Sequence, residues 1–132
     1  MGIDAETKLL AVIGHPIAHS LSPVLHNRLF AVHRLKCVYV ACDVVPERLR
    51  DVPAAIRAFG MVGVNVTIPH KEAILPMLDA VDPLAREVGA VNTIVNEHGR
   101  LRGYNTDVVG FIASLRRVVH GGEGALLGCG GV

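Results

Sequence analysis

Short β-branched runs alternate with helical stretches along this chain, and that alternation limits the fold more than any other feature. KLLAVIG (residues 8–14) is continuously apolar and ends in glycine, as a strand buried on both faces does. CVYVACDV (37–44) and GVNVTIP (63–69) repeat the pattern. AVNTIVN (90–96) and RLRGYN (100–105) read as two further strands joined by a tight turn at Glu97-His98-Gly99. The first helix is expected from Ser22 to about Leu35, with Val24, Leu25, Leu29, Phe30 and Val32 at near-helical spacing, Ser22 as N-cap and Pro23 as first helical residue. Pro46 opens a second, with Leu49, Val52, Ile56 and Phe59 on one face and Gly60 as its stop. His70 to about Met77 reads as a helix broken or kinked at Pro76. A short helix follows over Pro83–Val88, and a longer one starts at Thr106, capped by Thr106 or Asn105 and carrying Val108, Phe111, Ile112, Leu115 and Val119. The connection rules then predict an α/β domain of three layers (α/β/α), with a mixed, mostly parallel sheet and one antiparallel strand from the 90–105 hairpin.

The length of 132 residues suits one such domain. Hydrophobic residues at 51% against 19% charged exclude a disordered chain, and a net charge of +1 gives no footprint for nucleic acid or an anionic membrane surface. No apolar stretch approaches the roughly 18 residues that span a bilayer. The opening MGIDAETKLLAVIG lacks the basic start and cleavage site of a secretory leader. Cys37, Cys42 and Cys129 form no CxxC pair and leave an odd count, which fits a reducing compartment; a cytoplasmic protein is expected.

In open α/β sheets ligands bind beyond the carboxyl ends of the parallel strands. Polar residues gather there: Ser20 and Ser22 after the first strand, Asn65 and Thr67 on the third, His70 and Lys71 at its end, Asn92 in the fourth, and Asn105, Thr106 and Asp107 after the fifth. Each Asn or Ser taken singly is more readily a turn or cap. Together they suit a small ligand bearing hydroxyls and a carboxylate, since hydroxyls and amides both donate and accept while lysine donates and carries charge. His15 and His19 are four apart, but Pro16 makes the segment a loop and no third ligand has a recognised spacing, so no metal is expected.

HPIAHSLSPVLHN (15–27), GVNVTIPHKE (63–72), GAVNTIV (89–95) and GYNTDVVGF (103–111) resemble the shikimate dehydrogenases, in the family's order and spacing over nearly the whole chain. The resemblance implies the substrate-binding domain of that family and NADPH-dependent reduction of the ketone of 3-dehydroshikimate to the hydroxyl of shikimate, within chorismate and aromatic amino-acid biosynthesis. Carried over by position, it implies that Ser20 and Ser22 hold the substrate carboxylate, that Asn65, Thr67, Asn92 and Asp107 hold the ring hydroxyls, and that Lys71 and Asp107 are the catalytic pair. His70 stands where the family often has an apolar or aromatic residue, and no catalytic role is expected of it.

The segment ALLGCGG (125–131) reads as the strand and first turn of a dinucleotide-binding fold, with Gly128 and Gly130 as the first two glycines of GxGxx(G/A) and Gly131 in the same turn. The expected division is a substrate domain over 1–120 and the start of an NADP-binding domain over 121–132. The helix that would hold the pyrophosphate lies past position 132, so the chain alone is expected to be inactive. The family's returning chain end would also be missing, and the apolar face it covers would favour self-association, with a homodimer as the assembly considered. Two other readings stay open: a non-catalytic shikimate-binding module, and a relative acting on quinate. A folate-linked dehydrogenase shares the architecture but neither NVTxPxK nor NTDxxGF.

Overall fold

The computed structural model describes residues 2–118. Six strands form one sheet: β1 (Lys8–Gly14), β2 (Cys37–Asp43), β3 (Gly63–Val66), β4 (Ala80–Val81), β5 (Thr93–Glu97) and β6 (Arg100–Tyr104), in the order β2-β1-β3-β5-β6-β4. β1 pairs in parallel with β2 and β3, and β4 in parallel with β6, while β5 is antiparallel to both its neighbours. Five described strands therefore run one way and β5 runs against them, the mixed sheet that the hairpin predicted. That single reversal matters for the site. It brings the start of β5 to the same sheet edge as the ends of β3 and β6.

Alternation along the strands separates two cores. Ala11 and Ile13 of β1, Val64 and Val66 of β3, Ile94 and Leu101 face Leu49, Val52 and Ile56 on one side. Val12, Ile17 and Tyr39 face the other side, with Leu10 and Phe30 against them. Fully buried side chains such as Ile56 and Ile94 each contribute about 1.5–3 kcal/mol.

The helices depart from expectation where proline or capping chemistry intervenes. Helix α1 (Ser22–Val32) has Leu21 as its N-cap residue and no side-chain cap bond, so Ser22 is the first helical residue rather than the cap. It also stops short of Leu35: Arg34 takes a left-handed φ of 54°, and the Leu35 N–H donates to the Phe30 carbonyl at 2.8 Å. The helix expected from Pro46 divides into a 3-10 segment (Pro46–Asp51) and α2 (Val52–Ala58). Pro53 lies inside that stretch and has no N–H to continue the ladder. Gly60 ends it as expected, at a φ of 58°.

β3 ends at Val66 rather than Pro69, and His70–Met77 is a turn followed by a 3-10 segment (Leu75–Met77), because Pro69 and Pro76 leave no room for an α-helix. The two-residue β4 was not expected. Helix α3 (Pro83–Val88) was, and Asp82 caps it by accepting from the Leu84 N–H at 3.1 Å. The hairpin turn is His98-Gly99 alone, both at positive φ (54° and 94°), while Glu97 stays in the ladder opposite Arg100. Helix α4 (Asp107–Val118) is capped by Asn105, whose Oδ1 accepts from the Val108 N–H at 3.2 Å.

Apolar side chains stay exposed on α1 (Val24, Leu25, Val32) and on α4 (Val109, Phe111, Leu115). No described helix is long and apolar enough to cross a membrane. Gly128, Gly130, Gly131 and the expected domain start at 121 lie outside the described residues.

Candidate functional site

The reversal of β5 sets the site. Asn65 on β3 pairs with Thr93 at the start of β5, and Thr93 pairs with Tyr104 at the end of β6. Asn92, Asn105, Thr106 and Asp107 thus cluster with Asn65 at one edge. Lys71 is brought in by its backbone: its carbonyl accepts from the Val91 N–H at 2.8 Å, next to Asn92.

At that edge the Lys71 Nζ donates to Asp107 Oδ2 at 2.6 Å across 36 positions of sequence. The lysine side chain is 10% exposed and the aspartate 48%, so the pair lies at a mouth, cation inward and carboxylate half in water. Asn92 Nδ2 donates to Asp107 Oδ1 at 2.9 Å and to Thr106 Oγ1 at 2.8 Å. Its Oδ1 accepts from the Thr106 backbone N–H at 2.9 Å and from the Thr93 hydroxyl at 3.0 Å. Both carboxylate oxygens of Asp107 are therefore held from opposite sides. Bonded through both oxygens, the carboxylate orients the ammonium.

The bonds continue away from the mouth with a single polarity. The Thr106 N–H can only donate, which fixes the oxygen of Asn92. The Thr93 proton is then committed to Asn92, so Thr93 Oγ1 accepts from Asn65 Nδ2 at 3.2 Å. Asn65 Nδ2 also reaches the Asn92 carbonyl at 3.3 Å, and Asn65 Oδ1 accepts from the Tyr39 hydroxyl at 2.7 Å. Donation runs from Tyr39 through Asn65, Thr93 and Asn92 to Asp107. A chain in which every member donates to the next is stronger than its isolated bonds.

The remaining expected residues stand by the carboxyl end of β1. Ser20 lies in the loop leaving β1, where its Oγ accepts from the Ser22 N–H at 3.3 Å. Thr67 follows β3, with its N–H on the Ile13 carbonyl at 2.9 Å. Its methyl lies over Gly14, where a Cβ would stand 2.5 Å from it, so glycine is what lets this loop close. His70 is 1% exposed, and its Nε2 lies 2.6 Å from the Val44 carbonyl. It ties the loop that bears Lys71 to the end of β2. His15 Nδ1 lies 2.7 Å from Asp43, and no group of three or more His, Cys, Asp or Glu among the described residues could hold a metal ion.

Tyr39, Thr93 and Thr106 take part in the cluster although nothing in the sequence singled out the first two. Burial raises the Tyr39 phenol to about 12, so it stays a protonated donor at neutral pH.

Residues 12–94 match the family described as the shikimate dehydrogenase substrate binding domain. The chain belongs to this family. The shikimate dehydrogenase (NADP(+)) of Symbiobacterium thermophilum is 54% identical over 127 residues, covering 94% of this chain and 43% of that protein. The crystal structure of shikimate dehydrogenase from Aquifex aeolicus superposes with a TM-score of 0.86 at 46% identity, over 89% of this chain and 44% of that one. Shikimate 5-dehydrogenase from Listeria monocytogenes, solved in complex with shikimate and NAD, gives a TM-score of 0.83 at 43% identity, over 87% of this chain and 40% of that one. The chain spans less than half the length of these relatives. Fold class and family are thus those that the four motifs implied.

Proposed function

We propose that this chain supplies the substrate site of an NADP-dependent shikimate dehydrogenase, with Lys71 and Asp107 as its catalytic residues. The observation that carries the reading is the 2.6 Å Lys71–Asp107 contact, braced by Asn92 at the mouth of the sheet edge. A site built only to bind needs no cation held beside a fixed carboxylate, which sets the enzyme reading above a shikimate-binding module.

The chemistry follows from that pair. Reduction of a ketone places negative charge on its oxygen, and a preorganised ammonium beside that oxygen stabilises the charge as it develops. Lys71 then delivers a proton to the oxygen, leaving a hydroxyl. In the reverse direction the hydroxyl proton passes to Lys71 in its neutral form. Asp107 orients the ammonium and accepts from the ring hydroxyl. NADPH, when bound, supplies the hydride. Ser20 and Ser22 take the substrate carboxylate, and Asn65, Thr67 and Asn92 take ring hydroxyls. Asn92 already spends its amide on protein partners, so its larger share is to hold Asp107 still.

In this reading residues 1–120 are the substrate domain, and 121–132 lead into the NADP-binding domain, with Gly128, Gly130 and Gly131 in its first turn. The name of the Symbiobacterium relative supports NADP, and the shikimate in the Listeria enzyme supports the substrate. A cytoplasmic location belongs to the same reading and is supported by the free thiols of Cys37 and Cys42. Self-association would run through the apolar faces of α1 and α4.

A chimera tests the proposal. This chain replaces the matching 43% of the Symbiobacterium protein, and reduction of NADP with shikimate or quinate is followed spectroscopically. Shikimate oxidation above the quinate rate is expected. Turnover of quinate alone would move the assignment to that relative, and a folded chimera inert toward both would overturn it.

A further inference from the structure

We propose that Tyr39 is a positioning residue of the ligand site: its hydroxyl pins Asn65 Oδ1, so that Asn65 meets a ligand oxygen as a hydrogen-bond donor. The inference deepens the shikimate reading and rests on it for the identity of the ligand.

The sheet register makes the contact. Tyr39 on β2 pairs with Leu10 of β1, while Asn65 on β3 pairs with Val12, two residues further along the same strand. Both side chains therefore rise from one face, two strands apart and offset by a diagonal step. The phenol spans β1 and ends 2.7 Å from Asn65 Oδ1. A shorter side chain at position 39 would not cross the intervening strand.

Tyr39 is itself held on three sides. Asn27 of α1 brackets its backbone, accepting from the Tyr39 N–H at 2.9 Å and donating to the Tyr39 carbonyl at 2.8 Å. These bonds also occupy the outward backbone groups of Tyr39 on β2, an edge strand of the sheet. His26, one residue earlier, stacks on the phenol ring with centroids 4.4 Å apart at 19°. The residue is 3% exposed. Backbone, ring and hydroxyl are thus fixed, well beyond what filling a small core requires.

The consequence is chemical. A primary amide can rotate by half a turn and exchange its donor and acceptor ends. At Asn65 the short bond lies on the oxygen, to Tyr39, while the amide nitrogen makes two longer contacts, at 3.2 and 3.3 Å. The oxygen is spoken for; the N–H groups hold the longer contacts, and one of them turns to an incoming acceptor in exchange for its bond to Thr93 or to the Asn92 carbonyl. A ligand hydroxyl beside Asn65 must then present a lone pair there. The Asn92 carbonyl can only accept, so it keeps the amide nitrogen on its side, and the buried, protonated phenol donates to the oxygen that is left.

The test is a double-mutant cycle on this chain, with shikimate binding read by calorimetry. Y39F removes one oxygen and keeps the ring stacked on His26; it should weaken binding about five- to tenfold. The double variant Y39F/N65A should bind as N65A does, since Tyr39 acts through Asn65. Unchanged binding by Y39F, or losses that add in full, would overturn the proposal. A reading that needs no variant comes from NMR of the unmutated chain. The Tyr39 hydroxyl proton should exchange slowly and show cross-peaks to the Asn65 side-chain amide. Their absence would overturn it even if Y39F did not fold. Failure of the unmutated chain to bind shikimate would instead sink the substrate assignment, and the hydroxyl measurement would still decide whether Tyr39 holds Asn65.

Discussion

Lys71→Met in the chimera should lower kcat for shikimate oxidation by about 10³–10⁴-fold, because in the proposed mechanism one group supplies both the proton transfer and the charge opposite the developing oxyanion. KM should change by less than about tenfold, since the carboxylate and the other hydroxyls of the substrate keep their partners. Methionine keeps most of the volume of the lysine stem, which is nine-tenths buried. The variant leaves Asp107 without its cation, but that carboxylate is half exposed and still bonded to Asn92, so the stability loss should fall below the 3–5 kcal/mol typical of a broken, fully buried pair. A kcat within tenfold of the parent, in a protein with an unchanged melting temperature, would remove Lys71 from the chemistry.

Replacing Ser20 and Ser22 together by Ala should weaken shikimate binding to this chain by about 10²-fold or more. Each hydrogen bond to a carboxylate contributes about 1.5–3 kcal/mol, which would give about 3–6 kcal/mol for two independent bonds. The two serines are not independent, because Ser20 Oγ accepts from the Ser22 N–H, so the measured loss should lie toward the lower end. The fold should tolerate the change: Ser22 makes no side-chain cap at the start of α1, and its loss costs that helix little. Calorimetry with methyl shikimate as a control separates the two causes. The ester lacks the full negative charge and should lose far less affinity in the double variant. A double variant that binds shikimate within threefold of the parent would place the carboxylate elsewhere.

The sequence showed the strands better than the helices, for a physical reason. β-Branched runs such as KLLAVIG and CVYVACDV carry their own signal, and the hairpin reversed β5 as its turn residues required. Helix boundaries depend on prolines and caps. Pro53 split the segment from Pro46, and Ser22 entered its helix instead of capping it. Two-residue β4 leaves no periodicity to detect. At the site, Asn65, Lys71, Asn92 and Asp107 stood out because they lie in or just beyond the apolar runs that read as strands, within the motifs that carry the family resemblance. Tyr39 did not: it lies mid-strand among apolar neighbours, and its link to Asn65 exists only through the register of β1 between them. Thr93 was hidden in the same way, as an ordinary β-former at the start of β5.

The cluster around the Lys71–Asp107 pair is held to be one shikimate pocket with Ser20 and Ser22 on its other side. The most direct measurement is a titration of shikimate into the isotope-labelled chain, followed by NMR at backbone amides and at Asn and Lys side chains. Shifts should concentrate at Ser20, Ser22, Asn65, Lys71, Asn92 and Asp107 and leave α3 and β4 unmoved. Shifts gathered on α3 or β4 with that group of six silent, or no shifts at saturating shikimate, would contradict it.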